Sequence, residues 1–213
     1  MPDSSQKNHV ETDSPRRLLG VVLCGGKSMR MGEEKATLKT KRGVDFFEHA
    51  ARRLGPMCEC VVLSVAAEQT LPTSREFIRD PATSFGPISG IERALSYAFD
   101  HNFDECVFTP VDTPRLSEDH VISLIDEGRR HGSVACAVAS PSSDRLEPLI
   151  SYIPVVFLDV FRDAIQAGHY SLQKVFRRFD RLRLVEFPGE SCANLNAPED
   201  FRSYLLTDEH STQ

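Results

Sequence analysis

The sequence predicts an α/β fold, a three-layer sandwich in which helices cover both faces of a mostly parallel sheet. Two observations lead to this prediction. Short runs rich in aliphatic and β-branched residues alternate along the chain with segments of helical periodicity. Strand-like runs such as VVLC and CVF are apolar at consecutive positions, which is typical of strands that are buried on both faces.

The predicted strands are short, and in chain order they span residues 18–24, 60–65, 76–79, 105–109, 133–139, 149–153 and 182–187. Apolar residues recur between them at helical spacing, in one stripe made of Ile88, Ile91, Leu95 and Ala98 and in another made of Phe157, Val160, Phe161, Ala164 and Ile165. Further helices are predicted to begin near Ser117 and at Pro198. Right-handed crossovers would bring the carboxyl ends of all strands to one edge of the sheet.

The chain has 213 residues and a formal net charge of −6, from 25 Lys and Arg against 31 Asp and Glu. This balance argues against broad nucleic-acid binding but permits a local basic pocket for a phosphorylated ligand. No apolar run approaches the ~18 residues of a membrane span, and the first residues lack the apolar stretch of a signal peptide. We therefore expect a cytoplasmic protein that binds neither membrane nor nucleic acid, with one domain at residues 18–206 between flexible tails at 1–17 and 207–213.

Three segments that follow predicted strands carry residues suited to binding a nucleoside triphosphate. The loop GGKSMRMGEEK, residues 25–35, follows the first strand, and Asp80 and Asp112 each follow a later one. Ligands of open α/β sheets bind outside the carboxyl ends of the strands. A glycine-rich basic loop and two carboxylates at one edge would match the phosphates and divalent metal of such a nucleotide.

The glycine-rich loop fits neither of the common phosphate-binding motifs. A Walker A motif ending at Gly26-Lys27-Ser28 would need glycine at position 21, where the chain has Val21. The dinucleotide pattern GxGxxG also fails, because no third glycine follows at the required spacing. Lys27, Arg30 and Lys35 could nevertheless bring positive charge to phosphates beside the backbone N–H groups. A plain glycine turn with solvated cations is the alternative, and the loop alone leaves it open.

Asp112 and the two asparagines near the C-terminus also have structural alternatives. Asp112 lies in the segment PVDTP directly after an apolar strand, where it could bind Mg²⁺ together with substrate phosphates. It could equally form an Asx turn or cap the helix near Ser117. Asn196 could bind a ligand or cap the helix that starts at Pro198, and spacing does not decide between these roles.

Four motifs, taken in order, resemble those of the MobA family of molybdenum cofactor guanylyltransferases: LCGGKSMRMGEEKATL at 23–38, RDPATSFGPISGIERAL at 79–95, TPVDTPRL at 109–116 and NLNAPEDF at 194–201. The resemblance covers about residues 18–206 and implies a Rossmann-like nucleotide-diphospho-sugar transferase fold. It implies that the terminal phosphate of molybdopterin, carrying its molybdenum, attacks the α-phosphorus of GTP. Pyrophosphate then leaves, molybdopterin guanine dinucleotide forms, and Mg²⁺ is the cofactor.

By motif position, the resemblance assigns site roles to individual residues. Catalytic roles fall on Arg30, Lys35 and Asp112, with Asp112 also holding Mg²⁺. Nucleotide contacts fall on Leu23, Cys24, Gly25, Gly26, Lys35, Ser64, Asp80 and Asp112, and acceptor contacts fall on Glu147, Asn194 and Asn196. Such a reaction needs in-line placement and charge neutralisation more than covalent help, and its anionic nucleophile needs no general base.

The chain departs from the family pattern mainly on the acceptor side. Glu147-Pro148 stands where members commonly have His-Pro, and Ala197 stands where they have Thr. A related Mg²⁺-dependent transferase that uses CTP or another phosphorylated acceptor is therefore an alternative, although the pair Gly25-Gly26 favours GTP. A degenerate nucleotide-binding protein that partners a transferase is a second alternative. The resemblance also allows transient contact with other molybdenum cofactor proteins.

Overall fold

The computed structural model describes residues 15–25, 35–140 and 145–206. Its strands form one seven-stranded sheet in the order β3-β2-β1-β4-β6-β5-β7. They are β1 Leu18–Leu23, β2 Cys60–Val65, β3 Phe77–Arg79, β4 Glu105–Pro110, β5 Ala135–Val138, β6 Leu146–Pro154 and β7 Arg183–Glu186. Each predicted strand is confirmed in place. The predicted tails at 1–17 and 207–213 lie almost entirely outside the described residues.

The sheet is mostly parallel, but one strand runs against the others. β6 pairs antiparallel with both β4 and β5, whereas every other pairing in the sheet is parallel. The prediction that all carboxyl ends meet at one edge is therefore wrong for β6. The connection from Val138 to Leu146 is much shorter than the crossover of a dozen or more residues that parallel neighbours require. As a result, β6 presents its beginning at the edge where the parallel strands end.

Helices cover both faces of the sheet and confirm the three-layer architecture. They are α1 Phe46–Leu54, α2 Pro87–Asp100, α3 Glu118–His131, α4 Leu158–Gln166, α5 Leu172–Phe176 and α6 Pro198–Leu206. The buried side chains of α1 and α3 pack in one apolar cluster with Tyr204 of α6. Those of α2, α4 and α5 pack in a second cluster on the opposite face. Every residue of β1 is buried between the two layers, as its unbroken apolar run predicts.

The helix that follows β4 begins with a specific cap. Ser117 Oγ accepts a hydrogen bond from the backbone N–H of His120, and the His120 side chain accepts one from the backbone N–H of Ser117. This reciprocal pair fixes the start of α3. The turn between β4 and α3 therefore ends at a fixed point. Among the described residues, no helix combines the length and the apolar character needed to cross a membrane.

Candidate active site

A cavity of about 160 Å³ opens at the carboxyl ends of β1, β2 and β4. Most of the residues that the motifs single out for nucleotide binding line it: Leu23, Cys24, Gly25, Lys35, Ser64, Asp80 and Asp112. The topology places them together because β1 lies between β2 and β4, so their following loops meet. Two further predicted residues, Gly26 and Arg30, lie outside the described residues, as does Lys27.

One ammonium group connects residues from separate chain segments at the rim of this cavity. Lys35 Nζ donates to Asp112 Oδ2 at 2.9 Å and to Asn196 Oδ1 at 2.7 Å. The Lys35 and Asp112 side chains are only 17% and 16% exposed, so their ion pair is shielded from water while remaining open to the cavity. A short 3-10 turn at Lys35–Thr37 supplies the lysine. Three distant chain segments thus converge on a single point.

The oxygens around Lys35 are of the type that a hard divalent cation prefers. Mg²⁺ is bound in proteins through one or two carboxylate or amide oxygens, and substrate phosphates and waters complete its coordination. The Asp112 and Asn196 oxygens already share one positively charged group. Within the described ranges, no group of three or more His, Cys, Asp or Glu side chains gathers as a metal site. The residues therefore fit a cation that a ligand's phosphates help to hold.

Backbone contacts position Asp112. The N–H of Val111 donates to the carbonyl oxygen of Leu23 at 3.1 Å, and the N–H of Leu195 donates to the carbonyl oxygen of Asp112 at 3.0 Å. Thr113 is fully buried, and its Oγ1 donates to the carbonyl oxygen of Pro110 at 3.1 Å. Ser117 rather than Asp112 caps α3. The Asp112 carboxylate is therefore directed to Lys35 and is not used as a helix cap.

A buried arginine supports the same turn from the helix beneath it. Arg53 of α1 is 5% exposed, and its Nη1 donates to the carbonyl oxygens of Thr113 at 3.1 Å and Leu116 at 2.9 Å. Burial lowers the pKa of this guanidinium to about 10. His49, one turn earlier, places Nε2 3.1 Å from the carbonyl oxygen of Pro114, and burial lowers its pKa. We did not predict this support from the sequence.

Polar groups at the other end of the cavity are incompletely paired. Asp80 Oδ2 accepts a hydrogen bond from Ser84 at 3.4 Å, whereas Oδ1 is buried without a hydrogen-bond partner. Burial raises the pKa of the Asp80 carboxyl, against the opposing effects of Ser84 and Arg93. A buried acceptor without a partner is costly. This atom is therefore suited to receive a donor from a bound molecule.

The absent side chain of Gly90 keeps space open above these groups. A Cβ atom at this position would lie 3.1 Å from Ser64 Oγ and 3.5 Å from Asp80 Oδ1. Both contacts are with groups that line the cavity. Glycine at the start of α2 therefore preserves the volume of the site, at the modest cost of lower helix propensity.

The predicted acceptor residues are arranged differently from one another. Asn196 reaches Lys35, and it is not the cap of α6: the helix starts at Pro198, and Asp200 accepts from the N–H groups of Asn196 and Ala197 at 2.9 and 2.8 Å. Asn194 is half-buried nearby and does not line the cavity.

Glu147 lies at the start of β6, on the far side of β4 from β1. Its carboxylate is 3.7 Å from Arg145, and burial raises its pKa although Arg145 opposes the shift. The same carboxylate helps burial to raise the pKa of the Cys192 thiol to about 11. Glu147 is therefore within electrostatic range of Cys192, two residues before Asn194, although it too lies outside the cavity lining.

Residues 20–183 match the family described as the MobA-like NTP transferase domain. A probable molybdenum cofactor guanylyltransferase of Rhodopirellula baltica is 35% identical over 193 residues, which cover 88% of this chain and 91% of the relative. A molybdenum cofactor guanylyltransferase of Cereibacter sphaeroides is 34% identical over 194 residues, covering 86% of this chain and 93% of the relative.

Two solved structures show the same fold. Molybdopterin-guanine dinucleotide biosynthesis protein A of Archaeoglobus fulgidus matches with a TM-score of 0.69 at 24% identity, covering 87% of this chain and 96% of that chain. The 2-C-methyl-D-erythritol 4-phosphate cytidylyltransferase of Thermus thermophilus matches with a TM-score of 0.63 at 15% identity, again over 87% and 96% of the two chains. The predicted nucleotide-diphospho-sugar transferase fold is confirmed.

Proposed function

Because the chain belongs to the MobA-like NTP transferase family, we propose that it is a molybdenum cofactor guanylyltransferase. It transfers GMP from GTP to the terminal phosphate of molybdopterin that carries molybdenum, and it releases pyrophosphate. The convergence of Lys35, Asp112 and Asn196 on one rim of the cavity carries this proposal. The Lys35 ammonium, the Asp112 carboxylate and the Asn196 amide thus lie together where the phosphates of the nucleotide would bind.

The nucleotide lies along the cavity in this proposal. Lys35 binds its phosphates, helped by Arg30 and by the backbone of Gly25 and Gly26. The nucleoside lies toward Ser64 and Asp80, beside Leu23 and Cys24. The unpartnered Asp80 Oδ1 accepts a hydrogen bond from an N–H or O–H group of the nucleoside, because that bond removes the cost of a buried acceptor.

The reaction needs charge neutralisation rather than a general base. A terminal phosphate oxygen of the acceptor forms a bond with the α-phosphorus of GTP, and the bond from that phosphorus to the bridging oxygen of pyrophosphate breaks. Lys35 and Arg30 neutralise the charge that develops on the leaving group. Mg²⁺, held by Asp112 with help from Asn196, would supply further neutralisation when bound.

The acceptor approaches from the β6 side of the site. Asn196 accepts a hydrogen bond from Lys35, Asn194 precedes it by two residues, and Glu147 lies at the start of β6. The half-buried Glu147 carboxylate is suited to the paired N–H donors of a pterin's aminopyrimidinone ring, because two such donors can bind one carboxylate. These three residues are the proposed acceptor contacts.

Incubation of the purified chain with Mo-molybdopterin, Mg²⁺ and either GTP or CTP tests the proposal. We expect pyrophosphate release and dinucleotide formation with GTP. Asp112→Asn should lower the rate at least about a hundredfold without unfolding the protein. Asp45→Asn is the matched control, because Asp45 forms a comparable 2.7 Å ion pair with Lys39 away from the cavity.

Turnover with CTP instead of GTP would refute the proposed nucleotide. An unchanged rate in Asp112→Asn would refute the role of Asp112, whereas nucleotide binding without turnover in the wild type would favour a degenerate nucleotide-binding protein. A cytoplasmic location belongs to the same proposal, since GTP is a cytoplasmic metabolite. Transient contact with other molybdenum cofactor proteins would deliver the acceptor or receive the product.

A further inference from the structure

Two exposed aromatic rings stack on each other beside the candidate active site. The rings of Phe85 and Tyr170 are 4.5 Å apart between centroids and 5° from parallel. The two residues are 39% and 41% exposed. They come from distant segments, Phe85 from the loop before α2 and Tyr170 from the connection between α4 and α5. Parallel stacking leaves the outer face of each ring available for another planar group.

The Phe85 segment is continuous with the wall of the cavity. Phe85 stands two residues before Pro87, which lines the cavity at the start of α2. The backbone N–H of Phe85 donates to Ser89 Oγ at 2.9 Å. The loop is thereby fixed to the first turn of the helix, and Phe85 lies next to the cavity wall without lining it.

The Tyr170 segment is attached to the β6 side of the site. Gln173 of α5 brackets Leu146 at the start of β6: its Oε1 accepts from the Leu146 N–H at 3.2 Å, and its Nε2 donates to the Leu146 carbonyl oxygen at 2.6 Å. Leu149, farther along β6, lines the cavity. The connection that carries Tyr170 is therefore fixed to the same strand as Glu147.

We propose that the Phe85–Tyr170 pair is the platform on which the fused heterocycle of the acceptor stacks. This inference rests on the proposed function and names a recognition element for its second substrate. Aromatic side chains stack on flat, π-rich rings whatever substituents those rings carry. Phe85 lies in the loop that carries Asp80, and Tyr170 is fixed through Gln173 to Leu146 of β6, so the pair spans the nucleoside end and the β6 side. We assign it to the acceptor because Glu147, the proposed contact for the ring donors of a pterin, directly follows Leu146.

Kinetics of the full-length chain with alanine substitutions test the platform. In Phe85→Ala and in Tyr170→Ala, we expect the KM for Mo-molybdopterin to rise about tenfold while the KM for GTP changes less than about twofold. Tyr170→Phe should restore the wild-type KM, because the ring and not the hydroxyl is required. Phe99→Ala is the matched control: this ring is 63% exposed but lies at the opposite end of α2.

Titration with free pterin provides a readout that does not depend on turnover. The chain contains no tryptophan, so pterin fluorescence can be followed without interference from indole emission. Wild type and Phe99→Ala should quench pterin emission equally, and Tyr170→Ala should quench it only at about tenfold higher protein concentration. Thermal melts verify that each variant is folded.

The outcomes separate the platform from the proposed function. If wild type transfers GMP but neither substitution alters the KM for Mo-molybdopterin or the quenching of pterin, the platform alone is refuted. A rise in the KM for GTP with an unchanged acceptor KM would overturn the assignment to the acceptor. If wild type fails to transfer GMP, the proposed function fails, and selective loss of pterin quenching in Tyr170→Ala would still support an aromatic subsite.

Discussion

Replacement of Arg53 by methionine should lower the rate of GMP transfer strongly while lowering the free energy of unfolding only moderately. The substitution keeps most of the buried side-chain volume but removes the two hydrogen bonds to the Thr113 and Leu116 carbonyl oxygens. Each carbonyl left buried without a donor costs about 1–3 kcal/mol. Opposing this loss, the fall in the pKa of Arg53 from 12.5 to about 10 means that burial disfavours its charged form by roughly 3 kcal/mol.

Because these two effects oppose each other, we expect the free energy of unfolding to fall by no more than about 3 kcal/mol. The melting temperature should then fall by several degrees, since ~1 kcal/mol corresponds to ~2–4 °C at this chain length. The catalytic effect should be larger. The turn that carries Asp112 would lose its support from α1, and a displacement of about 1 Å at a reacting group can reduce a rate about a hundredfold.

The assay measures GMP transfer at saturating substrates, well below the melting temperature of the variant, across a range of Mg²⁺ concentrations. Arg53→Met should show a kcat reduced by about 30- to 100-fold and a higher Mg²⁺ requirement. The control is Arg52→Met on the same helix, where the side chain is 64% exposed and pairs with Glu48 at 2.9 Å. That variant should stay within about twofold of wild type, because surface ion pairs contribute little. Equal rates in a folded Arg53→Met and in wild type would refute the reasoning.

Three further predictions concern the cavity itself. Lys35→Met should reduce GMP transfer, measured by pyrophosphate release, about a hundredfold or more. The control Lys39→Met, which breaks the surface pair with Asp45, should not reduce it. An equal loss in both variants would contradict the role of Lys35 in binding phosphates. Burial raises the pKa of Asp80, so nucleotide affinity measured by calorimetry should fall as the pH drops toward that raised pKa. Asp80→Asn should bind GTP more weakly and should flatten this profile; a pH-independent wild type would contradict the role. The folded state binds this proton more tightly than the unfolded state does. Asp80 should therefore increase the free energy of unfolding as the pH falls through this range. In Gly90→Ala, the added Cβ would lie 3.1 Å from Ser64 Oγ and should weaken GTP binding several-fold. The melting temperature should not fall, since alanine favours the helix. Unchanged affinity for GTP would show that the nucleotide does not use the space above Gly90.

The strand positions were predictable because strands that are buried on both faces are apolar at consecutive positions, a pattern that differs from helical spacing. The direction of β6 was not, although the short connection between β5 and β6 carried the information. Lys35 and Asp112 were predicted from motifs that follow strands, and their ion pair is consistent with that prediction. The sequence could not show that Phe85 and Tyr170 stack, because their contact depends on the packing of separate helices.

Arg53 shows how a structural signal can be present and still be missed. It lies on the same helical stripe as Phe46, Ala50 and Leu54, all of them buried. A charge on the apolar stripe of an amphipathic helix is unusual and indicates a buried partner. The adjacent exposed Arg52 makes the pair look like an ordinary solvated helix end. The stripe therefore indicates that Arg53 has a buried partner, and the structure shows that this partner is the turn that follows Asp112.

The reversed strand β6 gives the site two walls of different construction. The wall that faces the nucleotide is made of loops leaving strands, so its shape depends on loop length and sequence. The opposite wall includes Leu149 of β6, which lies opposite the register shift between Cys136 and Ala137 of β5. We therefore expect exchanges of β6 side chains to change which acceptor fits, and exchanges in the loops that follow β1, β2 and β4 to change which nucleotide fits. Natural variants of this scaffold that differ in acceptor should accordingly differ first at β6.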